Sequence, residues 1–268
     1  TGAYINGAYY GFDINGVMDE GWRPAPEGAS SSATASNNKF YTEDNGNVTK
    51  GWVFAHTYAD WENKDKDEEW FYLDSKGRPF NIGGYYKNDR ELSQSNVTAI
   101  KHKEGSPSKD TYYNVAAKVI KKKTYLFDET GMMLHGVIEL NKDDKETPRI
   151  GGTDLADGLY YFNKNSGSSK GQLEKGKVTV NYDGENYYYN FDKSTGKAAT
   201  NMIVDNCLYD MNGVRINADD SKEIYTITDE KFNKVITVKG NKDITLNEND
   251  QVVVSSTGKL TKTERAHS

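Results

Sequence analysis

The sequence predicts an all-β chain: a β-hairpin repeat solenoid followed by a small C-terminal β module or cap. Three observations predict it. A short pattern recurs, in which aromatic residues lead into Asp or a stand-in, then a Gly-centred turn, then often a second Gly and an aromatic or apolar residue. The turn glycines Gly16, Gly46, Gly77, Gly131, Gly167, Gly196 and Gly213 are 30, 31, 54, 36, 29 and 17 residues apart, a loose period with insertions between units. The 268 residues are only 35% hydrophobic yet 12% aromatic, with 19 Tyr, so one large core is not expected while disorder is excluded. Tyr buries a ring and keeps its hydroxyl wet, which suits thin stacked units.

The clearest copy is Tyr9-Tyr10-Gly11-Phe12-Asp13-Ile14-Asn15-Gly16, followed by Val17 and, after a second Gly, Trp22. Phe40 to Trp52 repeats it around Gly46, with Gly51-Trp52 at its end. Trp70-Phe71-Tyr72-Leu73-Asp74 leads into Gly77, and Tyr125-Leu126-Phe127-Asp128 into Gly131 and then Gly136-Val137. The Tyr160 and Tyr188 copies carry one more turn residue, and Cys207-Leu208-Tyr209-Asp210-Met211-Asn212-Gly213 is a clipped copy. Each unit is expected to be an aromatic strand, a tight turn and a shorter strand. Gly supplies the positive φ, and Asp or Asn accepts hydrogen bonds from turn N–H groups. Seven such hairpins, each marginal alone, bury their faces on one another and are expected to give an elongated molecule.

The repeats are expected over residues 1–218, interrupted at 85–123 by an insertion whose Val, Ile and Tyr runs read as extra strands. Residues 219–268 lack the repeat signature. Alternation at Ile224-Tyr225-Thr226-Ile227, Val235-Ile236-Thr237-Val238, Ile244-Thr245-Leu246 and Val252-Val253-Val254 predicts three or four short strands there. The segment from Gly28 to Ser36 reads as a small-residue linker. The chain opens at Thr1 in mid-repeat with neither an initiating Met nor a signal peptide, and is expected to be a piece of a longer protein.

Charge and motifs narrow the function. A net charge of -6 argues against nucleic acid as a partner. No apolar run reaches the length of a membrane span. The single Cys207 allows no internal disulfide and reads as a small packed residue. The histidines His56, His102, His135 and His267 lack metal-ligand spacing, and no nucleophile elbow or phosphate loop is present, so neither catalytic residues nor a cofactor or metal is expected. Asp13, Asp74, Asp128 and Asp192 occupy equivalent turn positions, which assigns them a structural role. The basic run Lys118, Lys121, Lys122 and Lys123 reads as a solvated strand face, with an anionic wall polymer as the functional alternative. The acidic stretch from Asp65 to Glu69 reads as a solvated loop rather than a calcium loop.

The pattern aromatic-Tyr-x-Phe/Leu-Asp-x-x-Gly-x-Met-x-x-Gly-Trp resembles the cell wall-binding repeat of Gram-positive secreted proteins. That superfamily includes choline-binding repeats, glucan-binding repeats and the repeats of large clostridial toxins. The resemblance covers roughly residues 4 to 218, and the Tyr160 and Tyr188 copies are most similar to the toxin-type unit. It implies secretion, a cell-surface location and attachment to cell-wall polymer, glycan or choline-bearing teichoic acid. In the choline-binding branch, the site is an aromatic cage made by the Trp after the Gly and the first and third aromatics of the next hairpin. Trp52, Trp70 and Tyr72 are the one complete set here, although the joining segment 53–69 is long and contains Trp61. Trp22 and Tyr41 form the next best pair. Val137 and Thr124 stand where the later repeats would place a Trp and an aromatic. Each ring contributes roughly 0.5–2 kcal/mol toward a quaternary ammonium. A sugar would stack on the same rings. The competing reading is that these rings only pack hairpin on hairpin, in a stalk or adhesin surface without a small ligand. A third places the chain as the targeting part of a larger secreted enzyme. Tyr189, in a repeat without Trp, is expected to be neutral to ligand when changed to Ala.

Overall fold

The computed structural model describes residues 2–13, 15–18, 20–24, 39–43, 45–56, 68–74, 77–81, 84–85, 98–102, 111–128, 130–141, 155–218, 222–226, 237–239 and 250–265. The segment 28–36, Trp61, the acidic residues 65–67 and the expected strand Ile244-Thr245-Leu246 lie outside them. Every regular element among the described residues is a strand, 22 in all. Antiparallel hairpins come first: β1 (Gly2–Ile5) with β2 (Ala8–Gly11), β3 (Gly21–Pro24) with β4 (Lys39–Thr42), and β5 (Gly51–Ala55) with β6 (Glu69–Leu73). The short β7 (Phe80–Asn81) and β8 (Gly84–Tyr85) follow.

The repeat turns share one hydrogen-bond plan. The N–H at the Asp position donates to the carbonyl four residues on, and the Gly N–H donates back to the Asp carbonyl. This is so for Asp13/Gly16, Glu43/Gly46, Asp74/Gly77, Asp128/Gly131 and Asp210/Gly213. The carboxylate completes it: Asp128 Oδ1 accepts the N–H groups of Thr130 and Met132, each at 2.9 Å, and Asp13 and Asp210 do the same at 2.8 Å. A short acceptor side chain thus holds two N–H groups that the turn would otherwise leave unpaired.

Beyond the turns the ladder is short, a single bridge such as Phe12↔Met18, Leu73↔Pro79 or Phe191↔Ala198, or the two pairs Leu126↔Leu134 and Phe127↔Met133 after Gly131. The longer ladders form across units, between the strand after the second Gly and the aromatic strand of the next repeat. The hairpins are therefore phased half a unit away from the expected aromatic strand, turn and short strand. The second Gly sets this phase. Gly21, Gly51, Gly136 and Gly176 all lie at φ between 81° and 97°, a conformation that turns the chain out of one bridge and into the next ladder.

The insertion joins two repeats into one six-stranded sheet, ordered β12-β11-β10-β9-β13-β14. Its strands β9 (Thr98–His102) and β10 (Thr111–Ile120) lie between β11 (Lys123–Asp128), which pairs antiparallel with the edge strand β12 (Met133–Leu134), and β13 (Gly136–Asn141), which pairs with β14 (Gly158–Phe162). The turn from β10 to β11 is Lys121-Lys122, both at positive φ (48° and 66°). Next come the hairpins β15 (Gly176–Tyr182) with β16 (Glu185–Phe191) and β17 (Met202–Val204) with β18 (Cys207–Tyr209).

The C-terminal segment holds β19 (Lys222–Thr226), β20 (Thr237–Lys239), β21 (Asp250–Ser255) and β22 (Leu260–Arg265). β21 lies between β19 and β22, while β20 runs parallel to β17. One finding departs from expectation here. The turn after β21 follows the repeat plan, with Ser255 at the Asp position. Ser255 N–H donates to Lys259 O (2.8 Å), Gly258 N–H to Ser255 O (2.9 Å), and Ser255 Oγ accepts the Lys259 N–H (3.0 Å). A hydroxyl takes the more distant of the two N–H groups that the carboxylate accepts in the other turns. This turn also meets the previous unit, through a Cys207↔Lys259 bridge and the Leu260 N–H to Asn206 O bond.

Apolar burial is divided among several clusters, as the low hydrophobic content leads one to expect. A packing rule orders them. After Gly21, Gly51 and Gly136 the next residue lies opposite an aromatic of the next strand and packs on the aromatic strand one unit further on, whereas Lys177, after Gly176, lies opposite Asn190. Trp22 meets Phe71 and Leu73, Trp52 meets Tyr125 and Phe127, and Val137 joins Tyr189 and Phe191.

Candidate functional site

The β5–β6 ladder sets Trp52 opposite Tyr72 and Phe54 opposite Trp70. Strand alternation puts all four on one face. The Trp52 ring lies 5.1 Å from Tyr72 at 66° and 6.3 Å from Trp70 at 89°. The three expected site residues are therefore together, half-buried, with their rings set steeply to one another. Two further rings complete the joint. Tyr125 meets Trp52 edge-on at 4.8 Å, and Phe127 stacks on it at 5.9 Å and 27°. Phe54, 44% exposed, flanks Trp70 at 5.3 Å. Its place two residues after Trp52 was the signal for it. Nothing local marks Tyr125 and Phe127 as partners, because they reach Trp52 across the insertion. Rings at right angles form a corner whose walls can both lie within about 6 Å of one cation.

Trp22 and Tyr41 hold opposite positions in the β3–β4 register. Trp22 is 2% exposed, sets its ring edge-on to Phe71 at 4.9 Å and donates its indole N–H to His56 O at 2.7 Å. Tyr189 is buried against Phe191 at 5.6 Å, and burial raises its hydroxyl pKa. Changing it to Ala would report on packing, so an exposed ring such as Tyr4 is the better control.

A buried carboxylate gathers an ion cluster beside the aromatic joint. Glu69, 7% exposed, precedes Trp70 and accepts that residue's N–H at 3.0 Å. Its carboxylate also takes Lys170 Nζ at 2.8 and 3.0 Å and meets His135 Nε2 at 2.9 Å. One carboxylate thus ties β6 to the residue before β13 and to the turn after β14. Burial alone would raise the Glu69 pKa. The hydrogen bonds from His135, Lys170 and Trp70 outweigh it and hold the pKa below the ordinary 4.5. The folded state therefore binds this proton less readily than the unfolded chain. The resulting stability is fully present above about pH 4.5 and is lost as pH falls through the lowered folded value. Glu69→Gln is expected to cost about 1.5–3 kcal/mol at pH 7, the value of charged hydrogen bonds, and to flatten the fall in stability below pH 4.5. Urea unfolding at a series of pH values checks both, and a variant that keeps the wild-type acid slope would overturn the assignment.

Asp128 shows the opposite balance. Burial raises its pKa, and the bonds from Thr130, Met132 and Gly131 only partly offset that. Among the described residues no group of three or more His, Cys, Asp or Glu could hold a metal ion, and no helix is long and apolar enough to cross a membrane. Cys207 is buried.

No family model matches the chain, and no curated protein matches it. Solved structures do show likeness. Choline binding protein F from Streptococcus pneumoniae aligns with a TM-score of 0.42 and 20% identity, over 81% of this chain and 47% of that one. The modular autolysin LytC from Streptococcus pneumoniae aligns with a TM-score of 0.29 and 13% identity, over 100% and 43%. Truncated alternansucrase from Leuconostoc mesenteroides aligns with a TM-score of 0.26 and 16% identity, over 96% and 17%. The chain spans less than half the length of each of these three. It is similar to the choline-binding proteins, which recur among these likenesses.

Proposed function

We propose that this chain is a non-catalytic attachment module of a secreted, cell-surface protein. It holds cell-wall polymer or glycan, with choline-bearing teichoic acid among the ligands, at the aromatic joint of Trp52, Trp70 and Tyr72. The observation that carries the reading is the joint itself. Three half-buried rings from two paired strands stand 5.1–6.3 Å apart at 66–89°, the arrangement a quaternary ammonium or a sugar face uses. Trp22 and Tyr41 rank second, because Trp22 is already enclosed by Phe71 and His56. One such joint is weak alone, so attachment relies on several contacts to a polymer.

A second reading has its own observation. Trp52 already touches Tyr72, Tyr125 and Phe127, and Val137 replaces Trp at the later joint, as in a stalk whose rings serve packing alone. Calorimetric titration with choline and with wall glycans separates the two. Trp70→Ala is expected to weaken binding by about 1–2 kcal/mol, roughly 5- to 30-fold, with Tyr4→Ala unchanged. Absence of saturable binding in the wild-type chain hands the function to the stalk. Neighbouring sequence of the parent gene decides whether a catalytic domain is attached.

A further inference from the structure

A strand edge that faces away from its partner carries unpaired N–H and C=O groups, a template for a further strand. In the β13–β14 hairpin that edge is filled. Strand β9 pairs antiparallel along β13 from Ile138 to Asn141, and the Val137 N–H donates to Tyr182 Oη at 3.0 Å. The β15–β16 hairpin has the same register, with Gly176 opposite Phe191 as Gly136 is opposite Phe162. Among the described residues, however, no third strand lies along β15. β15 is also longer than its counterparts in the earlier hairpins. It runs seven residues, whereas β5 runs five and β3 four, ending at Pro24.

Which groups of β15 point outward follows from its turn. Asp183 and Gly184, at φ of 52° and 88°, make a two-residue turn closed by Tyr182 and Glu185, which therefore exchange both backbone bonds. Bonded pairs alternate along the ladder, so Lys177, Thr179 and Asn181 turn their N–H and C=O groups away from β16. The far side of the hairpin obeys the same parity. Asn190 O and Tyr188 O, opposite Lys177 and Thr179, accept the N–H groups of Ala199 and Arg215 from outside the hairpin, each at 2.8 Å. Among the described residues no backbone group bonds to the outward groups of β15. The side chains of Lys177, Thr179 and Asn181 are exposed, while Val180 on the inner face is buried.

This edge is self-complementary. Two copies of β15 laid antiparallel about Thr179 set Lys177 opposite Asn181 of the second copy, and Thr179 opposite Thr179. All three outward pairs are then made, each exchanging two backbone bonds, and no like charges face each other. Moving the register either way leaves one of the three residues without its pair in each copy. The edge's one charge is already neutralised, because Lys177 Nζ meets Asp205 Oδ2 at 2.8 Å. We propose that the β15 edge is the interface with a second copy of this chain, joined antiparallel about Thr179 into one four-stranded sheet. Such a dimer brings two aromatic joints to one polymer and raises avidity with no new ligand contact. The interface itself is independent of what binds at Trp52.

Sedimentation velocity from micromolar to millimolar protein reads the equilibrium. The wild-type chain is expected to pass from monomer to dimer as concentration rises, with slowed amide exchange at Lys177, Thr179 and Asn181. Thr179→Lys sets like charges opposite each other at an exposed position and is expected to weaken association about tenfold or more, with the fold and ligand binding unchanged. Thr179→Cys reads the register. Opposed residues of a bonded pair have Cα atoms about 5.5 Å apart, within disulfide reach. Mild oxidation is therefore expected to cross-link this variant, but neither Asn181→Cys nor the wild-type chain, whose Cys207 is buried. A chain monomeric throughout the range overturns the second copy as occupant and leaves the edge to a strand of another protein. A dimer that survives Thr179→Lys overturns the interface, and cross-linking of Asn181→Cys in place of Thr179→Cys overturns the pairing about Thr179.

Discussion

Phe127→Ala is expected to destabilise the protein by about 3–5 kcal/mol, in the range for deleting a fully buried aromatic ring. Phe127 has no exposed surface. Its ring meets Phe80 edge-on at 5.3 Å and stacks on Trp52 at 5.9 Å. It sits on β11 of the six-stranded sheet, and it contacts the preceding hairpin through Trp52. The loss therefore falls on the coupling between neighbouring units as well as on the site itself, and coupling is what stabilises an array of small units. Phe54→Ala is the matched comparison, a Phe deletion at a ring 44% exposed, expected to cost below about 1 kcal/mol. Urea unfolding read by Trp fluorescence measures both. Equal losses would show that Phe127 is no more than a surface ring in its contribution.

The turns were legible in the sequence because their chemistry is local. Asp13, Asp128 and Asp210 accept N–H groups two and four residues away, so a short motif carries the whole structure of the turn. The ladders were not legible in the same way. An aromatic strand such as β6 alternates identically whether it pairs with the strand before it or the one after it, and a second Gly at positive φ decides the matter. The turn at Ser255 escaped because a hydroxyl replaces the carboxylate and valines replace the aromatics that marked the other units. At the site, Trp52, Trp70 and Tyr72 were readable from their equivalent positions. Tyr125 and Phe127 were not, since 39 inserted residues (85–123) stand between them and the preceding repeat. Trp22 has the same Gly-Trp context as Trp52 yet is enclosed. The difference lies in His56 O, which takes its indole N–H, a partner that local sequence does not specify.

Gly131→Val tests how tightly successive units approach. Gly131 has φ of 94°, where an L side chain is strained and a β-branched one is an outlier. Space is short as well. A Cβ would lie 2.9 Å from Pro79 Cβ and 3.1 Å from the Phe80 carbonyl oxygen, with Phe71 Cδ1 at 3.5 Å. Two of these three are backbone or ring atoms of a proline-led segment that is itself buried, so the neighbour has little freedom to yield. The backbone term is about 1–2 kcal/mol, the steric term adds a comparable amount, and the lost flexibility of the unfolded chain returns about 0.4–1 kcal/mol. The expected net loss is about 2–4 kcal/mol. Gly16→Val isolates the steric part, because Gly16 has φ of 80° in the same turn plan while nothing lies within 4 Å of its Cβ position. It is expected to cost only the backbone term, about 1–2 kcal/mol less the same unfolded-state return. Denaturant midpoints measured for both variants give the difference directly. If the two losses agree, Gly131 is needed for its turn alone, and the close packing of its unit on Pro79 and Phe80 is not a constraint on the fold.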